Sequence, residues 1–162
     1  MSGASASGYV LGPGEGKSTW FLETLMTVKA GHAETGGAFT LLEWSAPAGF
    51  SPPVHLHRVE DEAFYILEGS MSVRCGERSW DAGPGSFVYL PHGIEHVFTV
   101  TGDAPLRGLQ LTLPAGFEEF IEEAGMLAGE LTLPQPSAPD VPRLLAAAER
   151  HNVEIRVPAH SE

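Results

Sequence analysis

Two stretches of the 162-residue sequence decide the fold: GFSPPVHLHRVEDEAFYILEG at 49–69 and GSFVYLPHGIEH at 85–96. The first contains His55 and His57, followed five residues later by Glu62, and the second ends on His96. Because side chains alternate between the two faces of a strand, His55 and His57 project to the same side. One metal ion can therefore reach both imidazoles.

Glu62 and His96 each open a predicted strand that is otherwise apolar on the same face. Phe64 and Ile66 follow Glu62 at alternate positions, and Phe98 follows His96 in the same way. Three imidazoles and one carboxylate suit Fe, Mn, Co, Ni or Zn better than Ca or Mg, which prefer oxygen ligands. Four such ligands leave up to two positions open on a six-coordinate ion. The sequence therefore predicts one divalent transition metal ion at a site suited to chemistry.

The distribution of residues along the rest of the chain is typical of an all-β domain. Nineteen glycines and 13 prolines are scattered between short apolar runs, as expected for many strands joined by tight turns. Short strands at this spacing are typical of sandwiches and barrels. The predicted strands cover 25–30, 39–45, 54–58, 62–67, 71–75, 86–90, 96–101 and 106–113.

The pattern changes after Pro114. A helix is predicted over 116–125, with an apolar face of Phe117, Phe120, Ile121 and Ala124 and with Glu118, Glu119, Glu122 and Glu123 facing water. We expect it to pack on the outside of the barrel. A proline-rich connector over 132–142 and a second short helix over 143–150 follow, and this tail is not expected to take part in chemistry.

Composition limits the partners and the compartment. Nine basic and 21 acidic residues give a formal net charge of −12, which disfavours binding to nucleic acid and to anionic membrane surfaces. Cys75 is the single cysteine, so no disulfide can form within the chain, and this fits a reducing cytoplasm. Residues 1–8 are rich in Ser, Ala and Gly without the features of an export signal, and no apolar run is long enough to span a membrane. We therefore expect a cytoplasmic protein.

The spacing of the ligand candidates resembles both signature motifs of the cupin superfamily. The two runs read Gly49-x5-His55-x-His57-x4-Glu62-x6-Gly69 and Gly85-x5-Pro91-x-Gly93-x2-His96. The resemblance implies a jelly-roll barrel, also called a double-stranded β-helix, with short C-terminal helices. It implies a flexible N-terminus over 1–8, the cupin barrel over 9–114 and a helical extension over 115–162 that packs on it.

Two residues depart from a simple match. The second motif ends in Asn in the family, and Val100 stands there, which puts in doubt a polar contact but leaves the ligands intact. Asp61 could compete with Glu62, but the six-residue spacing to Gly69 favours Glu62. Isolated histidines are usually structural, and we expect this of His32, His92, His151 and His160.

Four stretches are similar to bacterial single-domain quercetin 2,3-dioxygenase-like proteins. They are GPGEGKSTWFLETLMTVKA at 12–30, ETGGAF at 34–39, DEAFYILEG at 61–69 and PAGFEEFIEEAG at 114–125. This resemblance implies a flavonol or related enol as substrate and dioxygen as co-substrate, with release of carbon monoxide. It also implies that Glu62 acts twice, as a metal ligand and as the general base. An apolar pocket would raise the basicity of that carboxylate.

Other functions stay open at this point. The same site could serve a cupin cyclase, isomerase or oxygenase of aromatic polyketide or phenolic metabolism, or the ion could be structural in a small-molecule binding protein. Among the strand aromatics, Phe64 and Phe98 are predicted to line a substrate pocket, because each shares a face with a ligand. The remaining aromatics are expected in the core, namely Phe39, Trp44, Tyr65 and Phe87. A homodimer is expected through the apolar stretch 20–28 acting as an edge strand.

Overall fold

Two antiparallel sheets face each other in the computed structural model, which describes residues 7–157. The larger sheet has the order β11-β1-β2-β3-β10-β5-β8, and the smaller has the order β12-β4-β9-β6-β7. This architecture is the jelly roll that the resemblance implied. The strands are β1 Lys17–Phe21, β2 Thr24–Ala30, β3 Thr40–Ala46, β4 His55–His57, β5 Asp61–Glu68, β6 Ser70–Cys75, β7 Arg78–Ala82, β8 Phe87–Leu90, β9 His96–Thr101, β10 Leu106–Leu113, β11 Met126–Leu127 and β12 Val153–Ile155, and the helices are α1 His32–Thr35, α2 Phe117–Ala124 and α3 Val141–Arg150.

An aromatic cluster fills the space between the sheets. Trp44 of β3 is almost fully buried, and its ring centroid lies 5.3 Å from that of Phe64 and 5.4 Å from that of Phe98. Phe64 belongs to the larger sheet and Phe98 to the smaller, and their centroids are 5.5 Å apart. Tilted and edge-to-face packing of this kind adds to the free energy gained from burial of apolar area. The cluster therefore joins the two sheets.

All eight predicted strands are present, each within one residue of its predicted ends. The strands that sequence reasoning missed are short or carry no alternating pattern. β7 exposes four of its five residues, and β12 is three residues long. β1 begins at Lys17, directly after Gly16. Gly16 has φ +121°, and a Cβ there would lie 2.3 Å from the carbonyl oxygen of Val28, so only glycine fits this approach between strands.

Turn glycines of the two motifs adopt the backbone conformation expected of them. The φ angles of Gly49, Gly69, Gly85 and Gly93 lie between +76° and +83°. At Gly69 a Cβ would also lie 2.7 Å from the carbonyl oxygen of Pro105. The motif spacing thus records positions where the chain must turn in the left-handed region.

Helix α2 buries its apolar face but also one of its glutamates. Phe117, Phe120 and Ile121 are buried as predicted, whereas Glu118 is buried rather than facing water. Its carboxylate accepts hydrogen bonds from the backbone N–H groups of His32 at 2.6 Å and Gly116 at 3.0 Å, and from the hydroxyl of Thr40. The periodicity of the sequence could not predict this role, because it assigns polar residues to the solvent face and contains no information on hydrogen-bond partners far away in the chain. Glu118 anchors the helix to the larger sheet and to α1.

Two aromatics expected in the core lie on the outside instead. Tyr65 and Phe87 are 45% and 67% exposed, and they are paired across β5 and β8. Both occupy the face of their strand opposite to the core, as alternation from buried Phe64 requires. Trp44 is in the core as predicted, and Phe39 is half-buried.

The expected dimer edge is partly occupied within the chain itself. β1 pairs with β2 on one side and with β11 on the other, where Thr19 and Trp20 face Leu127 and Met126. The stretch 20–28 is therefore not a free edge, and the homodimer stays a prediction without it. No helix within 7–157 is long and apolar enough to cross a membrane. The expectations for 1–6 and for His160 lie outside the described residues.

Replacing Glu118 by Gln should lower the free energy of unfolding by about 1–3 kcal/mol at pH 7, because the buried network loses the negative charge and one of its two acceptor oxygens. Burial raises the pKa of Glu118, but the hydrogen bonds from Thr40, His32 and Gly116 lower it by a larger amount, so the net pKa lies below its usual value. A depressed folded-state pKa contributes stability that is present above the unfolded pKa and lost as the pH falls through the folded pKa. The difference in the free energy of unfolding between the wild type and Glu118→Gln, measured by urea unfolding, should therefore become smaller as the pH is lowered from 7 to 3.

Glu119→Gln is the matched control, since Glu119 is on the same helix and exposed. It should unfold like the wild type at both pH values. Two outcomes would contradict the anchoring role of Glu118. One is an equal loss of unfolding free energy in Glu119→Gln, and the other is a difference between Glu118→Gln and the wild type that is the same at pH 3 as at pH 7.

Candidate metal centre

The four predicted ligands converge between the two sheets. His55 and His57 lie on β4 and His96 on β9, which are neighbours in the smaller sheet, while Glu62 lies on β5 of the larger sheet. His55 and His96 are directly paired across the strands. One ligand atom from each of the four residues falls within a group whose members are all within 4.8 Å of one another.

Glu62 is the centre of this cluster. Its Oε2 lies 3.0 Å from Nε2 of His57 and 3.1 Å from Nε2 of His96. The ring centroids of His55 and His96 are 4.5 Å apart. His57, His96 and Glu62 are at most 3% exposed, whereas His55 is half-buried and is the ligand candidate nearest to solvent.

Backbone carbonyls orient two of the imidazoles. Nδ1 of His55 lies 2.7 Å from the carbonyl oxygen of Pro53, and Nδ1 of His96 lies 3.2 Å from that of Ile94. A carbonyl only accepts, so each Nδ1 carries the proton and each Nε2 is left with a free lone pair. This is the outer-shell arrangement usual for metal-binding histidines.

Several buried polar atoms of the site have no hydrogen-bond partner, and this indicates whether a metal ion fits there. Nε2 of His57, Nε2 of His96 and Oε2 of Glu62 are all buried, and none of them makes a hydrogen bond of acceptable geometry. Buried polar atoms rarely stay without a partner. A divalent cation accepting all these lone pairs would satisfy them together, and nitrogen ligands with one carboxylate suit a transition metal. The residues therefore fit one divalent metal ion, and their chemistry does not select among Fe, Mn, Co, Ni and Zn.

Gln110 holds the second oxygen of the Glu62 carboxylate. Its side-chain amide donates a 2.8 Å hydrogen bond to Oε1 of Glu62, and both residues are buried. Gln110 lies on β10, the neighbour of β5 in the larger sheet. With Oε1 engaged, Oε2 is directed at the imidazoles. Sequence reasoning missed Gln110, although its place on the buried face of a predicted strand was a usable signal.

Glu60 is a second residue that sequence reasoning did not identify. It is buried, and its Oε2 lies 3.9 Å from Nδ1 of His57. Both atoms lack a hydrogen-bond partner. Carboxylates behind a metal-binding histidine commonly orient the ring and raise its basicity. His57 also contacts Phe117 of α2, with ring centroids 5.6 Å apart, so the C-terminal extension reaches the site.

The electrostatics of the cluster favour the metal-binding forms of His55 and Glu62. For His57, burial lowers the pKa but Glu62 and Glu60 raise it by more, so the net pKa lies above its usual value and a metal ion would have to displace a proton there. Burial lowers the pKa of His55 to about 4, so this imidazole is neutral at pH 7. Burial raises the pKa of Glu62, but His57 and His96 lower it by more, and the net pKa lies well below its usual range. The expectation that apolar surroundings dominate and make this carboxylate more basic is therefore wrong. An ionised Glu62 and neutral imidazoles are the ligand forms that a divalent ion requires.

The competing residues lie elsewhere. Asp61 accepts hydrogen bonds from the backbone N–H of His92 at 2.9 Å and from its Nδ1 at 2.7 Å, outside the cluster. His151 contacts Glu123, with Nε2 2.7 Å from Oε2. His32 is at the first position of α1 and its N–H donates to Glu118. Phe64 and Phe98 surround Trp44 in the core beside the cluster, and their role in a substrate pocket stays a prediction.

Comparison with known proteins agrees with this geometry. Residues 42–112 match the family described as Cupin domain. The chain is 26% identical to quercetin 2,3-dioxygenase from Bacillus subtilis over 151 residues, which are 93% of this chain and 44% of that protein. The chain thus aligns with less than half the length of that relative.

Two solved structures share the fold. The polyketide cyclase RemF from Streptomyces resistomycificus is similar with a TM-score of 0.57 and 23% identity, over 66% of this chain and 80% of the other. KdgF from Halomonas sp. is similar with a TM-score of 0.53 and 15% identity, over 60% and 84% of the two chains. At these identities the likeness establishes the fold alone.

Glu60→Gln should weaken cobalt binding by about 10- to 100-fold, because His57 loses the carboxylate behind its Nδ1. The affinity can be measured by titrating metal-free protein with Co²⁺ and following the visible absorption of the bound ion. His57→Ala should lose more affinity than Glu60→Gln, since it removes a ligand.

Glu77→Gln makes the same chemical change at an exposed position between β6 and β7. It should bind cobalt like the wild type. Equal affinities for Glu60→Gln and Glu77→Gln would show that Glu60 does not support His57.

Proposed function

We propose that this chain, whose residues 42–112 match the cupin domain, is a metal-dependent dioxygenase that acts on a flavonol or a related phenolic or enolic small molecule. The observation that carries the proposal is the buried cluster of three imidazoles around Glu62, with Gln110 on the other carboxylate oxygen. A purely structural site usually closes all coordination positions with protein ligands. Four ligands on an ion that accepts six leave room for small molecules.

The similarity to the Bacillus quercetin 2,3-dioxygenase supports the choice of substrate class. It extends over 93% of the chain and therefore reaches beyond the part that any cupin shares. The apolar surroundings of the cluster agree with it. Trp44, Phe64 and Phe98 are buried and pack on one another, and Phe64 and Phe98 each lie two residues after a ligand candidate on the same strand.

A metal held by His55, His57, Glu62 and His96 would supply Lewis acidity that lowers the pKa of a substrate hydroxyl. The chain itself handles the proton. Oε2 of Glu62 faces the centre of the cluster and accepts the hydroxyl proton of the substrate as general base, while Gln110 keeps the carboxylate in place through Oε1. The low pKa of Glu62 keeps this oxygen ionised before the substrate arrives but makes it a weak base, so the proton transfer depends on the lowered pKa of the substrate hydroxyl.

The overall reaction balances with dioxygen as the only co-substrate. Two carbon–carbon bonds of the central ring break, one ring carbon leaves with its own oxygen as carbon monoxide, and both atoms of dioxygen stay in the organic product. The electrons that reduce dioxygen come from the substrate. The proton taken up by Glu62 returns to the product, so no external reductant or acid is consumed.

A cyclase, isomerase or other oxygenase of aromatic polyketide or phenolic metabolism is the second candidate. The fold likeness to a polyketide cyclase is compatible with it, and the same metal and base could activate an enol without using oxygen. A small-molecule binding protein with the same metal is the third. Oxygen consumption separates the first proposal from both.

Wild-type protein loaded in turn with Fe, Mn, Co or Ni should consume oxygen with quercetin and release carbon monoxide. Glu62→Gln should lower kcat by about 10²- to 10⁴-fold, because the general base is lost. Its metal content, measured by mass spectrometry, should fall far less, since three imidazoles remain. Asp61→Asn changes a neighbouring carboxylate outside the cluster and should leave kcat within about threefold of the wild type.

A metal-loaded protein that consumes no oxygen with quercetin or other flavonols would rule out the dioxygenase and favour the second or third candidate. Full turnover by Glu62→Gln would leave the reaction in place but remove Glu62 as its base.

A further inference from the structure

A cleft of about 700 Å³ opens at the mouth of the barrel. One wall is the β3–β4 connection, from Phe50 to Val54, and the opposite wall comes from the connector before α3, from α3 itself and from the end of β12. Ser137, Val141, Leu145 and Ile155 represent this second wall. Cavities of this size hold molecules of two to four rings. The second wall lies entirely outside the matched cupin domain, which ends at residue 112.

The cleft leads to the metal centre. A smaller cavity of about 50 Å³ shares Leu22, Pro53, Leu144 and Ile155 with it and is also lined by His55 and His57. In β12, Val153 and Ile155 are paired with His57 and His55, and directly paired residues on neighbouring strands share a face. The small cavity therefore lies on the face of the sheet to which the imidazoles point. It ends at His55, the most accessible of the four ligand candidates.

The lining of the cleft restricts the chemistry of what can bind. Most of its surface is apolar, and among the residues that the structure describes, Glu23 and Arg156 are the charged residues of its lining. Arg156 is engaged by the carboxylates of Glu95 and Glu154. No unpaired cation among these lining residues is left for a phosphate or a carboxylate. An anionic sugar or a small dicarboxylic acid would lose its hydration here without replacement.

We infer that this cleft, walled by α3 and β12, is the substrate-binding site, and that it selects uncharged, largely apolar molecules of two to four rings that carry a metal-binding oxygen at one end. The inference rests on the proposed function in one respect, namely that the oxygen of the bound molecule reaches the metal ion. The narrow passage requires the side chains of Leu22 or Leu144 to move aside when a ring reaches His55. The C-terminal extension thus supplies substrate selection to a metal centre built by the cupin domain.

Flavone is a suitable probe, because it has three rings and no charge and lacks the 3-hydroxyl group of a flavonol. Equilibrium dialysis with zinc-loaded protein should show one flavone bound per chain. The double variant Val141→Gln/Leu145→Gln changes two partly exposed residues of the α3 wall, so folding should be unaffected. Loss of these apolar contacts should weaken flavone binding by about tenfold.

Leu127→Gln is the matched control, because Leu127 is an exposed leucine that does not line the cleft. It should bind flavone like the wild type, and zinc content should be the same in all three proteins. Glucose 6-phosphate and oxalate should not compete with flavone. Equal flavone affinity in the three proteins, no flavone binding at all, or displacement by either anion would overturn the inference.

Measuring oxygen uptake with quercetin in the wild type and the double variant distinguishes a failure of the cleft inference from a failure of the proposed function. A double variant with raised KM and unchanged kcat supports both. Weakened flavone binding in a protein that never consumes oxygen supports the cleft and rejects the dioxygenase. Oxygen uptake with the same KM in wild type and double variant supports the dioxygenase and rejects the cleft.

Discussion

The meeting of one carboxylate with three imidazoles between two sheets is the constraint on which this structure depends. Glu62 comes from the larger sheet, and His55, His57 and His96 come from the smaller. A buried carboxylate costs free energy unless it is paired and hydrogen bonded, so its partners have to be held in place. Gln110 on one oxygen and the imidazoles around the other meet this need. The two sheets are thereby held in one relative position.

The aromatic core and the polar cluster support each other. Phe64 is two residues after Glu62 on β5 and Phe98 is two residues after His96 on β9, so each strand contributes one ligand candidate and one core ring to the same face. Packing of these rings against Trp44 sets the spacing between the sheets at the depth of the ligands. In return, the core keeps water from the cluster, and electrostatic interactions there are stronger than they would be in solvent.

In the proposed function, metal binding and substrate selection come from different parts of the chain. The ligand candidates and Gln110 all lie within residues 42–112, the part that matches the cupin domain. Phe117, α3 and β12 come later and cover the mouth of the barrel beside His55 and His57. β12 completes the smaller sheet by pairing with β4, the strand that carries both histidines. Such a division allows the extension to vary while the metal centre is preserved, because loops and terminal segments tolerate change better than a packed core.

Local regularities determined what could be predicted from the sequence alone. Strand alternation placed His55 with His57 and Glu62 with Phe64, and motif spacing located turns that require glycine, because these relations involve residues close together in the chain. Only the tertiary structure decided the rest. Glu118 turned inward because Thr40 and His32 supply donors to it, Tyr65 and Phe87 faced outward, and Glu60 and Gln110 joined the site from positions that carry no motif. The cleft also depends on β12 reaching β4 across almost 100 residues of sequence. Contacts of that range follow from how whole elements pack, and no local pattern encodes them.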